Sequence, residues 1–452
     1  MAQTGHDGKR ERFVPPYPPR GPRPVASWRG FFGERARTAI YGWSEEAYRT
    51  SYFRRKILRF NVHVVLDPDC IQRVLLDNAS NYVKPDVVKT LTGPTIGRGL
   101  LTSDGALWRD QRKIVAASFA PAAVDALTAV FSSAAQARSD EWRGDSVRDM
   151  SQEATAATMT IIADALFSGD PRLKTEAAMN HIAASLESAS DSRIAVILGL
   201  PLIGWTAKMR KGLAGTRFLR ETLGALVQDR IADPKDDFLG KIVTALGERF
   251  EPDEAAELAV DNATTFYLAG HETTANAIAW TLFLLSEQPQ LQERVAAEAR
   301  ASAGSDADDL PLLRRVIEES LRLYPPAPRF DRQAVEDDRL GGHEIRSGDI
   351  ISIWPWLVHR HTALWDDPDA FDSDRFLPER RAAQHRFQYI PFGGGPRVCV
   401  GARFAMAEAV AVLASWVSHW SFEPVPGRIV RPSGTVTLKP EGGLPLRLAR
   451  RS

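Results

Sequence analysis

Along this chain of 452 residues, apolar positions recur mostly with the period of an amphipathic helix, and only a minority alternate as half-buried strands do. Residues 59–66 are rich in β-formers and end at Asp67-Pro68, which predicts a strand followed by a helix start. Residues 85–101 carry three glycines and few helix signals, and predict a connection. Residues 122–250 read as mostly helical, with turns near Gly169, Pro171 and Pro234. One long helical pattern then runs from 253 to about 288 and stops at Pro289. Residues 340–358 alternate enough for a small sheet, most clearly at 350–353, and the alanine-rich segment 402–416 predicts a helix. Residues 1–24 are basic and then proline-rich, and predict a flexible N-terminal arm. No linker divides the remainder, so 25–452 is expected to be one domain.

Composition narrows the class. Hydrophobic content of 44% supplies ample core, and equal counts of acids and bases give nothing that suggests nucleic acid. Two cysteines exclude a disulfide framework. Cys70 lies at an amphipathic helix start, where a structural role is expected. The longest apolar run, 194–205, is too short for a membrane span and is broken by Pro201. These features lead us to expect a cytoplasmic monomer.

Chemistry concentrates in a few places. The run Pro-Phe-Gly-Gly-Gly-Pro-Arg-Val-Cys-Val-Gly at 391–401 is a loop that delivers Cys399 just before a helix N-terminus, where the dipole favours a thiolate. A buried cysteine packing as a small hydrophobe is the bland alternative. A phosphate loop is excluded by the missing lysine. Trp108 and Arg112 share a helix face at i, i+4, as would a core tryptophan covered by an arginine stem. Within the long helix, Ala269, Gly270 and Thr273 fall on one side. A mid-helix glycine costs about 1 kcal/mol, so close approach of a cofactor or ligand is a reason for it. Thr273 can bond back to the carbonyl of Ala269, and Glu272 stands beside it. Glu319 and Arg322 pair at i, i+3 on a further helix.

Phe392, Gly395, Arg397, Cys399 and Gly401 fill every fixed position of Phe-x-x-Gly-x-Arg-x-Cys-x-Gly, and this loop resembles the haem-binding signature of cytochromes P-450. Trp108-x-x-x-Arg112, Ala269-Gly270-x-Glu272-Thr273 and Glu319-x-x-Arg322 resemble further motifs of that family, in the family's order. Serine at 373 departs from the family's usual proline.

The resemblance implies a mainly α fold with a smaller β region, the triangular helical haem-thiolate fold. It implies haem b with Cys399 as the metal ligand. Cofactor contacts are expected from Trp108, Arg112, Ala269, Gly270, Arg332, Phe392, Arg397 and Gly401. It implies Glu272 and Thr273 as catalytic proton-handling residues, and Glu319, Arg322 and Arg375 as architecture. His271 is not expected to be a ligand. Val87, Val88, Leu91, Phe266, Ala327, Pro328, Phe330 and Val436 are expected to line the substrate pocket, with Thr435 and Thr437 beside Val436. The run 194–205 is expected in a lid over that pocket. Arg329 is a candidate anchor for an acidic substrate group. The activity implied is insertion of one oxygen atom from O2 into a mostly apolar small molecule. Electrons would come from NAD(P)H through a reductase and a ferredoxin or flavodoxin docking near Arg109, Lys113 and Arg403. A peroxide-driven peroxygenase and a non-catalytic haem sensor are the alternatives; Glu272 and Thr273 argue against both.

Overall fold

The long helix is the axis of the molecule. The structure, a computed structural model, describes residues 12–22, 38–57, 59–197, 200, 202–302, 310–434 and 436–451. In chain order the longer helices are α1 (Asp86–Ile96), α2 (Gly105–Ala116), α3 (Thr128–Ser139), α4 (Met150–Phe167), α5 (Glu176–Ile197), α6 (Ala207–Ala232), α7 (Phe238–Gly247), α8 (Pro252–Ser286), α9 (Pro289–Ala301), α10 (Pro311–Leu323) and α11 (Ala402–His419). Pro252 at the first position of α8, with Asp253 and Glu254 in its first turn, suits the helix start and its dipole. Beyond that turn α8 is buried along most of its length, by α4, α6, α7, α10 and α11. A helix that is apolar nearly all round belongs in the centre of a core.

The strands form a smaller β region. β1 (Tyr52–Ile57), β2 (Phe60–Val65), β8 (Ile350–Ile353), β5 (Phe330–Ala334) and β3 (Tyr82–Val83) make one sheet in that order, with β2 and β8 parallel. β4 (Ser146–Asp149), β12 (Pro445–Arg450) and β9 (Trp420–Pro424) make another. β6 (Asp338–Leu340) pairs with β7 (His343–Ile345), and β10 (Pro432–Ser433) with β11 (Lys439–Pro440). The strand predicted at 59–66 is β2, and the four-residue β4 lies within the stretch read as helical. β4 is a strand because β12 pairs with it in the folded chain.

Two expectations are corrected. The connection predicted at 85–101 contains α1, capped by Pro85 and carrying Pro94 near its end; packing against α5 and α6 overrides its weak propensity. The flexible arm is docked over residues 12–22. Tyr324 Oη donates to the Pro16 carbonyl at 2.7 Å, the Phe371 amide to the Phe13 carbonyl at 2.9 Å, and Arg20 pairs with Asp369 at 2.9 Å.

Candidate active site

The 391–401 loop is held from both sides. Gly395 has φ +65°, and a Cβ there would overlap the carbonyl oxygen of Leu75, so only glycine fits. The Cys399 amide donates to the Phe392 carbonyl at 2.9 Å, and Arg112 Nη1 donates to the Val398 carbonyl at 2.9 Å. Gly401 caps α11, and its amide points at the sulfur. Cys399 has accessible surface, yet burial is the main influence on its thiol. Accessible surface alone would suggest bulk solvent. The strong desolvation argues for a sulfur facing a space enclosed by protein. Burial pushes the thiol up, and the Gly401 amide and the Arg112 charge oppose this without overcoming it. The expectation that the helix terminus alone holds a thiolate is therefore corrected. A bound metal ion is what deprotonates such a thiol.

On α8, the buried surface is interrupted over one turn. Ala269 is exposed, Gly270, Glu272 and Thr273 are half-buried, and residues on either side are buried. Thr273 Oγ1 donates to the Ala269 carbonyl at 2.8 Å, as its spacing predicts. The reason for Gly270 differs from the expected one. A Cβ there would lie 2.6 Å from Cδ1 of Ile162, so the glycine admits α4 rather than a cofactor. His271 is buried, with Nδ1 bonded to the Tyr267 carbonyl at 2.8 Å.

Around Arg397 of the loop, basic side chains outnumber their acidic partners. Arg397 Nη2 donates to the Ser103 carbonyl at 2.9 Å and to Asp104, and its guanidinium lies 4.4 Å from the centre of the Trp108 ring. Arg332, on β5, is buried and donates to the Asp331 carbonyl at 2.9 Å. Lys84, which follows β3, completes the group. Burial, then Arg332 and Arg397, pull its ammonium far below the usual lysine range. Burial and Arg397 bring Arg332 down to about 10. Among the described residues these three cations face Asp104 and Asp331, carboxylates that Lys89 and Arg329 also pair with, at 3.0 and 3.1 Å. Lys84 was missed in the sequence because it belongs to no motif; only its position before Pro85 hints at a turn.

The haem implied by the resemblance fits these residues. Its two carboxylates match the cationic surplus of Lys84, Arg332 and Arg397, the thiol of Cys399 is a suitable iron ligand, and small residues leave room at Ala269.

A second buried network supports the loop. Arg322 binds both carboxylate oxygens of Glu319, at 2.6 and 2.7 Å, and the carbonyls of His359, Pro368 and Ala370. Arg375 Nε lies 3.4 Å from the same carboxylate, and the Asp372 amide donates to it at 2.8 Å despite serine at 373. His359 Nε2 accepts from the Ile390 amide at 2.9 Å, so Nδ1 carries the proton and faces the Arg322 carbonyl. One residue further on, the 391–401 loop begins.

Other expected positions divide. Val87, Val88 and Leu91 are half-buried on α1, as are Ala327 and Phe330; Pro328 is buried. Val436 is exposed, and Thr435 lies outside the described residues. Phe266 is corrected: it stacks on Phe119 and meets Phe238 edge-on, in an aromatic core rather than as pocket lining. Arg329 is also corrected, because it pairs with Asp331 at 3.1 Å and lies over Trp354. Strand alternation puts residues 329 and 331 opposite Phe330 and Arg332. Arg109 and Lys113 are exposed, and Arg403 pairs with Asp125 at 2.8 Å.

Comparison with known proteins agrees with this arrangement. The family model of cytochrome P-450 matches residues 28–444. Cyclooctatin synthase from Streptomyces melanosporofaciens is 34% identical, over 83% of this chain and 84% of that protein. The crystal structure of a cytochrome P-450 haem domain superposes with a TM-score of 0.76 at 24% identity, covering 89% of this chain and 90% of the other, which speaks for the fold. CYP175A1 from Thermus thermophillus superposes at 0.70 with 28% identity, covering 88% and 92%. The chain belongs to the cytochrome P-450 family, with its fold, its haem b and its monooxygenase activity.

Proposed function

We propose that the enzyme inserts one oxygen atom from O2 into a C–H or C=C bond of a small, mostly apolar substrate, with electrons delivered by a separate ferredoxin or flavodoxin. The observation that carries this reading is the pairing of an accessible Cys399 with the one accessible break in the buried run of α8, at Ala269 to Thr273. When bound, haem supplies the redox chemistry of oxygen activation.

The chain's residues do the rest. Cys399 Sγ is the metal ligand, and Lys84, Arg332 and Arg397 hold the carboxylates, with Trp108 under Arg397. Because the Thr273 hydroxyl spends its proton on the Ala269 carbonyl, its lone pairs are left to accept from water and fix a proton donor in place. Glu272, half-buried beside it, takes protons from solvent and passes them inward. Val87, Val88, Leu91, Ala327 and Phe330 exclude water around the substrate. The electron donor docks at Arg109, Lys113 and Arg403. The protein works as a cytoplasmic monomer, with residues 25–452 as a single folding unit.

The test is turnover with a ferredoxin, its reductase and isotopically labelled O2. Label is expected in the product, and Thr273→Ala is expected to consume reductant at a similar rate while forming several-fold less product. Product formed only with added peroxide, and unaffected by Thr273→Ala, would move the assignment to a peroxygenase.

A further inference from the structure

We propose that Arg20 and Arg360 enclose a binding site for one small monovalent anion of halide size, beneath the docked residues 12–22. Arg360 follows the one-turn helix Pro355–Val358 and is fully buried, with its guanidinium 3.6 Å from the centre of the Trp356 ring. The ring takes one face of the cation and leaves the N–H groups at its edge unspent. Among the described residues, none of Nε, Nη1 and Nη2 has a hydrogen-bond partner. A buried guanidinium ordinarily finds acceptors, because an unmet donor forfeits its hydration. Arg322, equally buried, meets Glu319 and three carbonyls. Arg20 comes from the arm and lies 3.6 Å from the centre of the Tyr48 ring. Its two Nη atoms take the two oxygens of Asp369, at 2.9 and 2.5 Å, while its Nε is buried and unpartnered. Arg360 Nε stands 3.4 Å from Oδ1 of the same carboxylate, without the alignment of a hydrogen bond. Glu45 reaches Arg20 only at 4.0 Å and from an exposed position. Two buried cations therefore share one buried carboxylate.

The occupant of such a site has to accept hydrogen bonds. Arg360 and the Nε of Arg20 offer only N–H groups, and Tyr48 Oη accepts from Trp356 Nε1 at 2.9 Å, which leaves its own proton to donate. A water molecule accepts from these donors but leaves the surplus charge in place, whereas an anion does both. Tyr48, Tyr324 and Trp356 wall the cluster and are at most 2% exposed, which suits a single small ion rather than a phosphate or an organic acid. The position gives the ion a use. Arg322 binds the carbonyls of Pro368 and Ala370, on either side of Asp369, so the ion joins the arm to the segment that supports the cysteine loop. This binding is independent of the substrate and of the electron donor.

The experiment is urea unfolding of the haem-loaded protein in sodium chloride against sodium gluconate at the same ionic strength, with chloride-35 NMR line widths measured on the reduced carbon monoxide complex. Gluconate is too large to enter. Chloride at ten times its dissociation constant should lower the unfolding constant of wild type about tenfold relative to gluconate, and chloride should exchange onto the folded protein with a broadened line. Arg360→Met keeps an apolar stem over Trp356 and removes the donors. It should abolish both effects while being at least as stable as wild type in gluconate, since a buried cation short of counter-charge is gone. Arg20→Met, on the arm, should weaken chloride binding about tenfold or more, because the remaining Arg360 is then balanced by Asp369. Both variants should keep the wild-type carbon monoxide difference spectrum, and Arg20→Met carries the test if Arg360→Met fails to fold. Equal unfolding of wild type in the two salts, with line widths that neither variant alters, would overturn the proposal and leave the cluster to water. A chloride dependence that survives in both variants would overturn it as well, by placing the anion elsewhere.

Discussion

Two buried charge clusters stand on either side of the cysteine loop. Around Glu319 and Arg322 the protein completes its own electrostatics: both carboxylate oxygens and every nitrogen of Arg322 have partners supplied by the chain. Around Lys84, Arg332 and Arg397 it does not. Burial depresses all three cations, repulsion from their cationic neighbours adds to this at Lys84 and Arg332, and Asp104 and Asp331 offset only part of the charge. A cluster that closes on itself is architecture, and a cluster left with surplus charge is a binding site for the opposite charge. Identical residue types thus serve different ends, and the partner balance tells them apart.

The largest expected effect tests the closed cluster. Glu319→Ala leaves Arg322 buried without its carboxylate, and should cost about 3–5 kcal/mol in urea unfolding of the haem-free protein. An unchanged midpoint would erase the distinction. Arg397→Ala tests the open cluster. It should weaken haem retention by about 1.5–3 kcal/mol, measured as transfer to an acceptor globin, with a smaller effect on the haem-free protein than Glu319→Ala has.

Next comes pH. Unfolded, His359 takes up a proton below about pH 6.5. Folded, burial and then the Arg322 charge keep it neutral well below that. Its stabilisation is therefore complete above about pH 6.5 and is lost as pH falls toward the folded value, at about 1.4 kcal/mol per pH unit. His359→Gln should flatten this slope in urea titrations at several pH values. The smallest effect is expected at Lys84. Lys84→Met should speed haem loss about fivefold while leaving the haem-free protein as stable as before or slightly more so, since a desolvated cation short of counter-charge is removed. A clear loss of haem-free stability would place Lys84 with the architecture.

Legibility followed contact range. The Cys399 loop, the Ala269 to Thr273 motif and the Glu319–Arg322 pair could be read because each lies within one loop or one helical turn, where spacing alone dictates proximity. Lys84, Arg332 and Arg397 could not be grouped that way. They come from three segments separated by 248 and 65 positions, and meet because β5 pairs with β3 and the loop folds back on Asp104. The reason for Gly270 escaped for the same cause: a helix pattern tells that a side is small, and only the neighbour Ile162 tells what fills it.

By itself the sequence determined which residues carry the chemistry, that the fold is mainly helical, and that one thiol precedes one helix. Bond spacing and backbone preference are local and need no neighbours to express them. Tertiary structure alone decided that Phe266 packs in an aromatic core, that Arg329 turns to Asp331, that residues 12–22 dock on the domain, and that burial raises the Cys399 thiol. The facing of a strand, the rotation of a helix about its axis and the loss of water around a charge are set by what packs against them. Several of those partners lie far along the chain, as Phe119 does from Phe266 and Pro16 from Tyr324.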